Sequence, residues 1–351
     1  MQREALGVAV IGCGRIGGLR ANLSATHPGV GFLALSDRNQ IQADVLAQKT
    51  GADLVTSDNL AAINDARVGA VFISTPEHDH REAVVQALEA GKAVFVEKPI
   101  AFTLEDADAI IEAAERTGSE LRVGYSRRHD RRWMLAKEQI LQGRVGEVLG
   151  IQSRVYNTRA QLMEILKRAP DATPVNDVLT YYVDMACWYL ESIRPVEVVA
   201  RARSKVFRAM GHKAADVTWA IITFESGAVV NLGVSYVLPS TYPTVGQSSR
   251  FEVIGDTGVI RTQTGIVNVT DTRKSAGVFV HFGHVVEGEV KPGQTAVLEV
   301  DRLLAFHGGH EDSVEASQLS HVRIVTFFTG RDGLHALCEE VVGRHILNHL
   351  G

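Results

Sequence analysis

The sequence predicts an α/β protein of two domains. Residues 1–125 read as a doubly wound parallel-sheet domain, and residues 126–351 as an α+β domain with a large, mostly antiparallel open-faced sheet. Three observations predict this. Up to about residue 124, short apolar runs alternate with helix-patterned segments, as parallel strands joined by crossover helices do. Beyond it, strand-like segments follow one another with turn signals between them. A chain of 351 residues is also long for a single core.

The first half places strands at 7–11, 31–36, 53–55, 70–74, 93–96 and 121–124, with helices near 15–26, 40–50, 59–64, 79–91 and 104–117. Ser57-Asp58 and Thr103 read as helix N-caps, while Gly91 and Gly118 read as C-terminal stops just before strands. The second half places a helix at 131–142, stopped by Gly143, a strand near 147–156 and a helix around 176–190. Strand-like segments then accumulate at 196–206, 216–225, 228–237, 249–255, 258–262, 266–271 and 296–300. Glu225-Ser226-Gly227 and Gly255-Asp256-Thr257-Gly258 suit turns between antiparallel strands. Helices return near 312–317 and 332–349.

Hydrophobic content of 45% and charged content of 22% are those of an ordinary globular protein. A net charge of −5 gives no support for nucleic-acid or anionic-membrane partners. No apolar run approaches the ~20 residues that span a bilayer. Arg3 and Glu4 stand directly before the first strand, so no signal peptide is expected. Cys13, Cys187 and Cys338 are scattered and odd in number, which suits reduced thiols in the cytoplasm and shows no metal-ligand spacing.

The chemistry starts at Leu6–Gly18. Val8-Ala9-Val10-Ile11 runs straight into Gly12-Cys13-Gly14-Arg15-Ile16-Gly17, and helix-compatible sequence follows. Gly12 suits the tight turn, Gly14 lets backbone approach a pyrophosphate, and Gly17 lets helix and strand pack closely. The helix N-terminus offers free N–H groups to the anion. Asp37 ends the second strand, 20 residues beyond Gly17, where a ribose hydroxyl acceptor is expected. These features predict a Rossmann dinucleotide site. Asp37 favours NAD because its charge repels a 2′-phosphate. Arg38 leaves NADP open, since an arginine can stack on adenine or pair with that phosphate.

Two further motifs follow. Ser74-Thr75-Pro76 closes the fourth strand and reads either as a strand-ending turn or as the nicotinamide-side wall. Glu97-Lys98-Pro99 follows the strand Ala93-Val94-Phe95-Val96. Charged residues at the carboxyl end of a parallel strand point into the ligand crevice, and a lysine there can bond a substrate hydroxyl; a surface ion pair beside a proline is the other reading.

Together these pieces resemble the Gfo/Idh/MocA oxidoreductase family, whose members include inositol and glucose–fructose oxidoreductases. The matching residues are Gly12–Gly17, Ser36-Asp37, Ser74-Thr75-Pro76 with His80, Ala90-Gly91-Lys92 leading to Val96-Glu97-Lys98-Pro99, and Gly124-Tyr125-Ser126-Arg127-Arg128. The resemblance implies a catalytic role for Lys98. It implies cofactor contacts from Gly12, Gly14, Arg15, Ile16, Gly17, Asp37, Arg38, Ser74, Thr75, Pro76, His80, Glu97, Lys98 and Arg128; for Arg128 a structural role is the alternative. The family's Asp-x-x-x-His-x-x-Asp stretch corresponds to Asp177–Asp184 here, with Tyr181 at the histidine position. Asp177 and Tyr181, four apart, share one helix face. A tyrosine base needs its usual pKa of about 10 lowered, for which the Lys98 ammonium is a source. Otherwise Tyr181 positions substrate while Lys98 or a water relays the proton, or it simply packs.

The resemblance therefore implies an NAD(P)-dependent dehydrogenase of a sugar, inositol or related polyol. The alternatives are a redox-assisted glycoside-cleaving enzyme that retains its cofactor, a keto-sugar or imine reductase, and a non-catalytic dinucleotide sensor. Arg127, Tyr156, Asn157 and Tyr182 are the expected substrate contacts, with Arg159, Tyr236 and His307 as weaker candidates. His78-Asp79-His80 and the loop His307–Asp312 are poor metal sites, since consecutive residues rarely converge on one ion. Apolar residues on both alternations of the late strands (Val217, Trp219, Ile221, Val229, Leu232, Val234, Tyr236) predict an uncovered sheet face and a homodimer or homotetramer.

Overall fold

The computed structural model describes residues 5–238, 247–263, 266–271, 276–281 and 284–289. The chain opens with β1 (Leu6–Ile11), whose residues from Gly7 onward are buried, because helices cover both faces of a parallel sheet. Helix α1 (Arg15–Thr26), β2 (Val30–Ser36), α2 (Gln40–Thr50), β3 (Leu54–Thr56), α3 (Asn59–Ile63), β4 (Val68–Ile73), α4 (His80–Glu89), β5 (Ala93–Val96), α5 (Leu104–Thr117) and β6 (Leu121–Val123) follow. The six strands are parallel in the order β3-β2-β1-β4-β5-β6. Ile11 pairs with Ser36 on one side and Ile73 on the other. Strand order reverses at β1/β4, which opens a crevice beyond the strand carboxyl ends.

Local signals set the helix ends. The Asp58 side chain accepts from Leu60 N at 2.9 Å and Thr103 Oγ1 from Asp106 N at 3.2 Å, so both residues cap their helices. Gly91 and Gly118 adopt left-handed φ values at the opposite ends.

The second domain contains α6 (Arg131–Leu141), β7 (Val148–Thr158), α7 (Arg159–Arg168), α8 (Thr180–Tyr189), β8 (Pro195–Arg203), α9 (Val206–Ala209), β9 (Val217–Phe224), β10 (Val229–Leu238), β11 (Gln247–Gly255), β12 (Gly258–Gln263), β13 (Ile266–Asp271), β14 (Ala276–His281) and β15 (His284–Glu289). Its nine-stranded sheet runs β15-β14-β13-β12-β11-β7-β10-β9-β8. The sheet is mixed: β7 and β10 pair in parallel at its centre, and every other pairing is antiparallel. The inner face packs on the helices around Trp133, Tyr182, Tyr189 and Phe251.

The structure differs from the sequence reading in five places. Helix α7 and the hairpin β14–β15 were not anticipated. The strand expected at 196–206 ends at Arg203, because the Asp216 carboxylate accepts from the backbone N–H groups of Lys205, Val206 and Phe207 at 2.6, 2.7 and 3.0 Å and turns the chain into α9. The helix expected at 176–190 opens with a π-turn, Val175–Leu179, before α8. Leu232, Val234 and Tyr236 lie on the inner, buried face of β10, so the half-exposed apolar patch on the outer face is Val199, Trp219, Ile221 and Val229. The strand at 296–300 and the last two helices fall outside the described residues.

Candidate functional site

The first wall of the site is made mostly of backbone. Gly12 has φ +90°, and a Cβ there would lie 2.7 Å from the Ser74 main chain. A Cβ on Gly17 would sit 1.7 Å from the Gly12 carbonyl oxygen, so α1 approaches the strand ends only because Gly17 lacks a side chain. Gly14, the N-cap of α1, has open space where its Cβ would be, with only Gln42 at 3.9 Å. Arg15 and Ile16 start the helix, exposed and half-buried respectively. Asp37 accepts from Cys13 N at 2.7 Å through Oδ2 and from Asn39 N at 2.8 Å through Oδ1, which fixes its carboxylate beside the glycine turn. Burial, then the Asp37 charge, pushes the Cys13 thiol up to about 12, so it behaves as a core side chain. Arg38 is three-quarters exposed at the same rim, 3.7 Å from Asp79.

Across the crevice, Ser74 Oγ and Thr75 Oγ1 are buried without a hydrogen-bond partner. These atoms, the open Gly14 and the free N–H groups of α1 fit a dinucleotide: each lacks a polar partner that such a ligand supplies. Pro76 follows at the rim. His80, in contrast, is wholly buried. Its Nδ1 lies 3.0 Å from the Pro99 carbonyl and 3.2 Å from that of Ile100, and its Nε2 lies 3.2 Å from the Thr75 carbonyl. Burial above all lowers its pKa and keeps the ring neutral. The expectation of a direct cofactor contact is therefore corrected: His80 packs behind the Thr75 and Pro99 turns, and its neutral ring donates its one N–H to a carbonyl of one of them.

Glu97 needs a similar correction. Its carboxylate accepts from Arg20 Nε at 2.8 Å and pairs with Arg20 Nη2 at 2.6 Å, bracing α1 against the end of β5. Lys98, the next residue, turns into the crevice, and its bond to Pro99 is cis. Its Nζ donates to the Asp177 carbonyl at 2.7 Å and to Asp177 Oδ1 at 3.3 Å. Both side chains are mostly buried, at 13% and 14% exposure, so the contact joins the domains in a largely dehydrated place.

The second wall is made of side chains. The π-turn carries Asp177, in keeping with the frequent use of π-turns at functional sites. Tyr181 follows on α8, half-buried, with Lys98 Nζ and the Arg127 guanidinium each 5.2 Å from its ring centre and Tyr125 edge-on at 5.8 Å. Arg127 also lies over Tyr182 at 4.5 Å and near Trp133 at 5.7 Å. Asn157 on β7 is wholly buried, and neither polar atom of its amide has a well-formed partner. Tyr236, which the motifs do not mark, reaches the site from β10 and donates to Asp177 Oδ2 at 2.5 Å.

Three expected site residues lie elsewhere. Arg128 forms a forked pair with Asp184, at 2.7 to 3.0 Å over three hydrogen bonds, and Asp184 is completely buried. Burial raises the Asp184 carboxyl and the guanidinium opposes this. The pair fixes the segment after β6 to α8, and beside it Tyr125 and Thr180 are bonded at 2.6 Å, so the cofactor role is corrected to a structural one. Tyr182 is wholly buried, stacked on Phe251, and belongs to the core. Tyr156 is adjacent to Asn157 on a strand and so faces the opposite side of the sheet, edge-on to Trp219 and under Arg154. Among the described residues no cluster of three His, Cys, Asp or Glu side chains could hold a metal ion, and no helix is long and apolar enough to cross a membrane. The loop with His307 falls outside the described residues.

Residues 6–125 match the model of an oxidoreductase family with an NAD-binding Rossmann fold, and residues 133–261 match the Gfo/Idh/MocA C-terminal domain. The chain is 30% identical over 254 residues to scyllo-inositol 2-dehydrogenase (NAD(+)) of Bacillus subtilis (strain 168), covering 72% of each chain. It is 28% identical to inositol 2-dehydrogenase of Rhizobium meliloti (strain 1021), covering 72% of this chain and 74% of that protein. In fold it is similar to scyllo-inositol dehydrogenase from Lactobacillus casei, solved with bound NAD(H) and scyllo-inositol. The TM-score is 0.65 at 23% identity, over 74% of this chain and 76% of that one.

Proposed function

We propose a reaction for a chain whose family is established: it belongs to the Gfo/Idh/MocA oxidoreductases. Its cofactor is NAD. We read it as a dehydrogenase that oxidises a secondary alcohol of a polyol, with an inositol or related sugar as substrate. One observation carries the reading: Lys98 and Asp177, from different domains, meet beside Tyr181 at the crevice above the strand ends.

Bound NAD supplies the carbon that accepts the hydride. The chain arranges the rest. Lys98 presents its ammonium to the reacting hydroxyl and stabilises the negative charge that develops on that oxygen. Asp177 holds the ammonium through its carbonyl and Oδ1. Tyr181 occupies the base position, and its phenol can accept one hydrogen bond while donating another. As it accepts the substrate hydroxyl proton, its own phenolic proton passes to solvent water at the half-buried edge of the ring. Asn157 lies beside Tyr236 on the inner face, and Arg127 lies over the rings of Tyr181 and Tyr182, so both are candidates for holding the substrate hydroxyls.

Two properties complete the proposal. The outer-face patch of Val199, Trp219, Ile221 and Val229 supports a homodimer or homotetramer built sheet to sheet. The scattered cysteines, with Cys13 and Cys187 buried outside any disulfide, support a cytoplasmic location.

The test is a screen of inositols, other polyols, sugars and anhydrosugars with NAD and NADP, following the absorbance of the reduced nicotinamide. Turnover of a polyol with NAD is expected. Lys98→Ala should lower kcat by roughly 10²-fold or more while NADH affinity by fluorescence titration changes little. A Lys98→Ala protein with near-normal kcat would remove the proposed role.

A further inference from the structure

Tyr236 carries no motif, yet it touches the acid at the centre of the site. It lies on the inner face of β10 and is wholly buried. A phenol so placed needs a partner for its hydroxyl. That partner is Asp177 Oδ2, at 2.5 Å. The other carboxylate oxygen, Oδ1, and the Asp177 carbonyl receive Lys98 Nζ at 3.3 and 2.7 Å. Asp177 is thus gripped at three points, two by the first domain and one by the second domain's sheet. The grip matters because Asp177 sits in a π-turn, away from the regular helix that follows.

We propose that Tyr236 is a positioning residue for the Lys98–Asp177 pair: its hydroxyl fixes the Asp177 carboxylate in the orientation that presents Oδ1 to Lys98, and so holds the ammonium at the reacting oxygen. The contact itself is independent of the reaction, but its kinetic consequence rests on the dehydrogenase reading above.

Tyr236 acts here as a donor and not as the base. Burial first, then the Asp177 charge and hydrogen bond, raises its phenol well above the usual tyrosine range, so it stays protonated. The polar and charged groups around the contact are Lys98 from the turn after β5, Tyr181 and Tyr182 from α8, and Asn157 from β7.

The experiment is Tyr236→Phe in the NAD-bound enzyme, with Tyr182→Phe as the control. Tyr182 is equally buried, and its hydroxyl has no hydrogen-bond partner. Tyr236→Phe should lower kcat by roughly tenfold to a hundredfold with KM little changed, the scale of one hydrogen bond to a charged group. Tyr182→Phe should match the wild type in both kcat and KM. A crystal structure of Tyr236→Phe should show the Asp177 carboxylate turned away from Lys98. A wild-type kcat in Tyr236→Phe would overturn the proposal. So would a change confined to KM, which marks direct substrate contact, or an equal loss in Tyr182→Phe, which marks a packing effect. If the wild type turns over no polyol, the dehydrogenase reading fails. The crystallographic arm then decides the positioning role alone: an unmoved Asp177 overturns it and a rotated one supports it.

Discussion

The two walls of the crevice are built differently. In the first domain the wall is backbone: a glycine turn, the N-terminus of α1 and the Ser74-Thr75-Pro76 turn, all within or next to contiguous motifs. In the second it is side chains. Asp177 meets a lysine 79 positions earlier and a tyrosine 59 positions later. A wall made of backbone needs particular residues at fixed spacing, so it leaves a signature in the sequence. A wall made of side chains needs only that distant strands and helices bring them together. The cofactor half is therefore the half that can be read directly, and the substrate half depends on topology.

The sharpest test of the contrast is where the segment after β6 meets α8. Arg128→Ala leaves the Asp184 carboxylate buried and unpaired. Removing one partner of a buried pair costs about 3–5 kcal/mol. Chemical denaturation should show that loss, while a lysine, which cannot reproduce the fork, should recover only part of it. A change below about 1 kcal/mol would mean that this segment is held to α8 elsewhere.

The backbone wall breaks in a graded way. Gly17→Ala drives a Cβ into the Gly12 carbonyl and should destabilise the first domain by about 1–3 kcal/mol, the usual scale of overpacking. Gly14→Ala meets only open space in the protein, so its melting temperature should stay near that of the wild type. Its NADH affinity should nevertheless fall, because the space it fills is the proposed path of the pyrophosphate. Equal destabilisation by the two substitutions would erase the distinction between a glycine that serves packing and one that serves the ligand.

How much was legible follows the same line. The strands of the first domain read correctly to within a residue or two because burial on both faces makes them apolar runs. The caps Asp58 and Thr103 and the stops Gly91 and Gly118 are local chemistry and were equally plain. In the second domain α7 and the β14–β15 hairpin carried no comparable signal, and the end of β8 is set by Asp216, well downstream. Tyr236 extends the alternation Val230, Leu232, Val234 on the buried face, so its burial was readable, but its partner was not. Tyr156 and Asn157 show what a stricter reading yields. Neighbours on a strand face opposite sides, so both could not line one site.

His80 tests the backbone wall through pH. Its ring is buried neutral between two turns, and burial lowers its folded pKa below the unfolded value of about 6.5. The unfolded state therefore binds more protons in the interval between those two values, and stability rises with pH across it. On acidification from pH 7 the unfolding free energy should begin to fall near pH 6.5 and go on falling toward the depressed folded pKa. His80→Gln should flatten that part of the curve. An unchanged slope in His80→Gln would assign the acid sensitivity to other groups.

The smallest expected effect concerns the outer face of the second sheet, where Tyr156 stands edge-on to Trp219 and under Arg154. Tyr156→Ala and Asn157→Ala change adjacent residues of one strand, so they test whether facing, and not position along the chain, decides a role. Asn157→Ala should raise KM for the polyol, since its buried amide lies on the inner face beside Tyr236 without a well-formed protein partner. Tyr156→Ala should leave kcat and KM within about twofold of the wild type, as surface substitutions away from a site do. If the outer face is the proposed subunit contact, Tyr156→Ala should instead show itself in sedimentation, as a weaker dimer at low micromolar concentration. A kinetic effect of Tyr156→Ala in an intact oligomer would place substrate on the wrong side of the sheet and break the division between the two faces.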